Sequence, residues 1–127
     1  MARPATRDLT ERELEVMHVF WSHGEMTAQE ARDRLASSGT DRAYTTIATL
    51  VRILQEKGFL NATNSERPFR YVPARPYEEV SKRLLDDVIE RVFLGSREQL
   101  LVRLLGATRL SRQERALLES ILQEAQP

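Results

Sequence analysis

Between Ala43 and Lys57 apolar residues recur at Ile47, Leu50, Val51 and Leu54, a spacing that gathers them on one stripe of a helix. The opposite face carries Tyr44, Thr45, Ala48, Thr49 and Arg52. Threonine loses side-chain freedom in a helix, and a helix serving stability alone would show Glu and Lys on that face. Upstream, Thr10 to Glu13 reads as a capping box opening a helix with Leu14, Val16, Met17, Val19, Phe20 and Trp21, closed near Gly24. Thr27 to Glu30 is a second such box, before Ala31 and Leu35. Gly58 predicts a left-handed stop to the third helix. Phe59 to Thr63 and Phe69 to Val72 then alternate as two strands around the turn formers Asn64 to Pro68.

Pro73 and Pro76 bracket a hinge expected near 74–76. Beyond it Tyr77, Val80, Leu84, Val88 and Val92 fall at helical steps, up to Gly95. Ser96 to Gln99 and Ser111 to Glu114 are two further capping boxes. They precede Leu100, Leu101, Leu104 and Leu105, then Leu117, Leu118, Ile121 and Leu122. The pattern predicts a mainly α fold with a small β-hairpin. Residues 1–75 form a winged helix-turn-helix domain behind a short polar arm, and residues 76–127 a helical dimerisation domain of three helices. A helical unit of roughly 50 residues rarely closes a core alone. A second copy is therefore expected on Tyr77, Val80, Leu84, Val88, Val92, Leu100, Leu104, Leu117, Leu118 and Ile121.

Composition changes this picture little. The 127 residues are 41% hydrophobic and 30% charged, ordinary for a globular protein. Basic and acidic residues balance at 19 each, but from Arg42 to Arg75 six basic residues face only two acidic ones. A local basic surface suffices for phosphate contact, because screening cuts off distant charge within about 8–10 Å. No apolar run reaches the roughly 18 residues of a membrane span, and the first residues lack the apolar core of a signal peptide. The expected setting is the cytoplasm, with no membrane insertion. The chain has no cysteine, which excludes disulfides, thiol catalysis and thiolate metal sites.

The candidate site is a DNA-reading face. Short polar side chains let a helix approach base edges, and a threonine methyl can touch a thymine methyl. Tyr44, Thr45, Thr46, Ala48, Thr49 and Arg52 are the candidates on the helix, with Thr46 equally suited to capping it. Arg67 and Arg70 on the hairpin and Arg42 before the helix are candidates for phosphate. Phe20 and Trp21 follow the first helix's apolar stripe and are expected in the core. His18 and His23 have neither the spacing nor the partners of a metal pair. No catalytic residue, metal site or cofactor is expected.

Thr45-Thr-Ile-Ala-Thr-Leu-Val51, Lys57-Gly-Phe-Leu60, Glu13 to Trp21, Phe69-Arg-Tyr-Val-Pro73 and Leu110-Ser111 together resemble the BlaI/MecI-type penicillinase-repressor family. The resemblance runs over nearly the whole chain. It implies a homodimeric repressor that binds a palindromic operator through its winged helix and dimerises through its C-terminal helices. It also implies a membrane-bound metalloprotease sensor as partner. The Asn–Phe bond cut in some members aligns with Arg103-Leu104 here, and the arginine many members carry one place after Arg52 is Ile53. The alternative is a winged-helix module for protein–protein contact, without sequence-specific DNA binding. A regulator holding a small ligand between its C-terminal helices is a further reading, but no polar groups converge there.

Overall fold

The computed structural model describes residues 8–106 and 109–125, so all but Asp8 of the expected N-terminal arm lies outside the described residues. In chain order the elements are α1 (Glu11–His23), β1 (Met26–Thr27), α2 (Ala28–Ser37), α3 (Tyr44–Glu56), β2 (Leu60–Ala62), β3 (Arg70–Pro73), α4 (Tyr77–Val92), α5 (Arg97–Gly106) and α6 (Arg112–Glu124). They fall into two compact units, one ending at Val80 and the other beginning at Ser81.

The first unit is a winged helix. The capping boxes of Thr10 with Glu13 and of Thr27 with Glu30 both form, which fixes where α1 and α2 begin. Val16, Met17 and Phe20 of α1, Ala31 and Leu35 of α2, and Ile47, Val51 and Leu54 of α3 are buried, and the three helices pack on one another. α3 ends where Gly58 adopts a φ of 86°. The turn drops Phe59 and Leu60, both buried, onto the helices.

The sheet has three strands, one more than the sequence pattern gives. Its order is β1-β3-β2, antiparallel throughout. In register, β1 pairs Met26 with Tyr71 and Thr27 with Arg70, while β2 pairs Leu60 with Pro73 and Ala62 with Tyr71. A two-residue strand has no alternation to read, and Thr27 doubles as the cap of α2. Asn64 organises the hairpin tip: its amide group donates to the backbone oxygens of Glu66 and Pro68 at 3.0 and 3.1 Å.

The first unit also takes residues expected elsewhere. Phe20 is in the core, but Trp21 is only half-buried. Its indole Nε1–H donates to the backbone oxygen of Arg75 at 2.9 Å, and its ring meets Tyr77 edge-on, with centroids 5.2 Å apart. Val80 is 4% exposed. Tyr77 and Val80, expected among the dimer contacts, both lie in the first unit, where Tyr77 stays exposed and Val80 is buried. Helical spacing marks an apolar face but not which neighbour covers it.

In the second unit, the box of Ser111 with Glu114 caps α6, and Ser96 accepts the Gln99 amide ahead of α5. None of its described residues is buried. Val88, Val92, Leu104, Leu117 and Ile121 are exposed, and Leu84, Leu100 and Leu118 are half-buried. Among the described residues no helix is long and apolar enough to cross a membrane.

Candidate nucleic-acid interface

With Ile47, Val51 and Leu54 turned into the core, geometry forces Tyr44, Thr45, Thr49 and Arg52 of α3 to the outside, and all four are exposed. Thr46 is exposed as well. No side chain caps α3, so the capping role weighed for Thr46 is not used. The Thr49 hydroxyl donates back to the Thr45 carbonyl at 2.9 Å. That bond fixes the rotamer while leaving the hydroxyl lone pairs available. α3 carries no acidic residue before Glu56, so over its first three turns the helix itself sets no carboxylate against an approaching polyanion.

Between this face and the wing lies a groove of about 640 Å³. Tyr44, Ala48, Thr49, Arg52 and Gln55 line one wall, Thr27, Ala28 and Gln29 at the start of α2 another, and Arg67, Pro68 and Phe69 of the wing a third. Five of the residues read from sequence, Tyr44, Ala48, Thr49, Arg52 and Arg67, therefore converge; Thr45 and Thr46 lie on the same helix outside the groove wall. Arg52 reaches Glu56 at 3.5 Å, with both side chains more than 60% exposed. A pair so exposed yields readily to a phosphate. The Arg67 guanidinium stands 5.7 Å from the centre of the Phe69 ring.

Arg42 and Arg70 are placed otherwise. Arg42 donates from Nε and Nη2 to the two carboxylate oxygens of Glu15, at 3.1 and 3.0 Å. This bond holds the Glu15 carboxyl below the ordinary glutamate range, against the opposing effect of burial, and raises the Arg42 guanidinium. Arg70 donates from Nε to Glu25 at 2.8 Å and from Nη1 to Glu30 at 3.3 Å. Its hydrogen bond to Glu25 raises it further above its ordinary value. Glu30 is lowered first by the Thr27 backbone amide, and then, against desolvation, by the charge of Arg70. Both arginines are committed to carboxylates distant in sequence, which local composition could not reveal. Conversely, Gln29 and Gln55 were missed. Gln55 continues the spacing of Tyr44, Ala48 and Arg52 by one more turn and was legible; Gln29 enters only because α2 begins beside the groove.

Among the described residues no cluster of carboxylates and histidines suits a metal ion. The groove offers hydroxyls, amides and two cations, the equipment for holding an anionic polymer by its backbone and reading its edges. The penicillinase repressor family model matches residues 9–124.

The chain belongs to the penicillinase repressor family.

It is accordingly a DNA-binding repressor of transcription and not an enzyme. The repressor is 28% identical over 116 residues to the penicillinase repressor of Bacillus licheniformis, covering 91% of this chain and 90% of that protein. It is 30% identical over 117 residues to an uncharacterised 16.5 kDa protein of Latilactobacillus sakei, covering 92% of this chain and 80% of that one. Its fold matches the solution structure of the DNA-binding domain of the repressor BlaI with a TM-score of 0.50 and 30% identity, over 61% of this chain and 93% of that domain.

Proposed function

We propose that the repressor blocks transcription in the cytoplasm by occupying a two-fold operator as a homodimer. α3 enters the major groove. Tyr44, Thr45, Thr46, Ala48 and Thr49 stand nearest the bases, because a groove about 12 Å wide admits only the first half of a helix this long. Arg52 and Arg67 neutralise phosphates on either side. The observation that carries this reading is the exposed face of α3, free of carboxylates from Tyr44 to Gln55, opening onto a groove walled by the wing.

A second unit in which no described residue is buried, yet with Val88, Val92, Leu104, Leu117 and Ile121 exposed, supports pairing with another copy. Pairing supplies the second half-site, and each half raises the effective concentration of the other. Release then follows from disturbing the dimer. Cleavage by a membrane-bound metalloprotease sensor is the route implied by the family resemblance; Arg103-Leu104, the aligned bond, joins two exposed residues of α5.

Fluorescence anisotropy with duplexes from the repressor's own promoter region and with random duplexes, alongside sedimentation equilibrium, tests the reading. A dimer with a clear preference for the promoter is expected. A monomer that treats both duplexes alike even in dilute buffer would refute it.

A further inference from the structure

Arg70 sits at the junction of three parts of the winged helix. Its guanidinium spans Glu25 and Glu30, with Nη2 also directed at the Glu25 backbone oxygen at 3.4 Å. Its own amide donates to the Asn64 side chain at 2.8 Å, the same side chain that closes the hairpin tip. Its carbonyl accepts the Thr63 amide at 2.8 Å. One residue therefore grips the start of α2 with its side chain and the wing with its backbone. Glu30 serves twice, since the oxygen that takes Arg70 also accepts the Thr27 amide at the head of α2.

With two carboxylates on one guanidinium, this cluster carries net negative charge and releases no counterions on meeting DNA. We propose that Arg70 is a positioning residue: it tethers the wing to the start of α2 and so sets where Arg67 meets the phosphate backbone. This deepens the DNA-binding reading above and rests on it. Exposed ion pairs add little to overall stability, so the effect falls on wing placement rather than on folding.

The test uses full-length variants, a random-sequence duplex as probe, and amide hydrogen exchange without DNA. Arg70→Ala is expected to weaken binding about fivefold, the scale of one or two exposed ion pairs, while leaving the slope of log affinity against log salt unchanged. Glu25→Ala, which spares the cap of α2, is expected to weaken binding by a similar factor, and the double variant no more than either single one. Removal of a carboxylate near DNA would by charge alone tighten binding, so the sign of the Glu25→Ala effect is diagnostic. Exchange at the Thr63 amide should accelerate in both variants. Arg70→Lys keeps the charge but cannot span two carboxylates, and should fall between wild type and Arg70→Ala at wild-type slope. A slope shallower by about one unit in Arg70→Ala would mark a phosphate contact and overturn the proposal. So would tighter binding by Glu25→Ala, or unchanged exchange at Thr63. If the wild type shows no salt-dependent binding, the DNA reading fails, while the exchange measurement still decides the tether.

Discussion

The Lys57 ammonium donates to Glu13 Oε1 at 2.8 Å, and that same oxygen accepts the Thr10 amide at 2.8 Å. The residue that follows α3 is thereby bonded to the first turn of α1. Glu13 is only 3% exposed, and Lys57 also donates to the Asp8 carbonyl at 2.8 Å. The pair ties the end of α3 to the start of α1.

Lys57→Met should therefore destabilise the protein by about 2–3 kcal/mol, because it leaves a nearly buried carboxylate with the Thr10 amide but without its cation. Urea denaturation measures this. Adding Glu13→Gln should restore part of the loss. An unchanged midpoint for Lys57→Met would show the pair to be idle.

Thr49→Ala removes a methyl and a hydroxyl from the outward face of α3 without touching the core. It should lower the preference for the operator over random DNA by about 1–3 kcal/mol if Thr49 makes a good base contact. Competition binding at one salt concentration gives the ratio. A preserved ratio would assign Thr49 to helix structure through its bond to Thr45.

Arg67→Ala should weaken binding to every sequence alike and flatten the salt dependence by about one unit. A titration series over salt is the measurement. With the slope intact, Arg67 leaves the interface.

Ile121→Glu places a charge on an exposed apolar face of α6. It should shift sedimentation equilibrium toward monomer and weaken operator binding far more than binding to a half-site. Equal loss on both duplexes would separate α6 from pairing.

Glu15 links α1 to Arg42, just ahead of α3, and its pKa in the folded state lies below the ordinary value. Its stabilising contribution is thus fully present at neutral pH, above the unfolded pKa. It is lost as pH falls through the depressed folded value. Glu15→Gln should lower Tm slightly at neutral pH and narrow the difference from wild type under acidic conditions, as followed by circular dichroism. A constant difference across that range would contradict the linkage.

Much of the fold was legible because its determinants are local. The boxes at Thr10, Thr27 and Ser111 name helix starts within four residues, and the stripe through Ile47, Val51 and Leu54 names the buried side of α3. Gly58 names its end. The outward face of α3 followed by subtraction, since residues off the stripe face outward, and Gln55 could have been added by the same step. Lys57-Gly-Phe was legible as a motif, but its reason was not: Lys57 reaches a carboxylate 44 residues away.

By itself, the sequence determined the order of elements, the outward face of α3 and the repressor family, because periodicity, capping and motif are properties of neighbouring residues. Tertiary structure alone decided which cations line the groove. It paired Arg42 with Glu15 and Arg70 with Glu25 and Glu30, and left Arg67 and Arg52 on the groove. It also drew Tyr77 and Val80 into the first unit and added β1 to the sheet. Ion pairing and burial depend on which distant segments meet, and chain order does not record that distance.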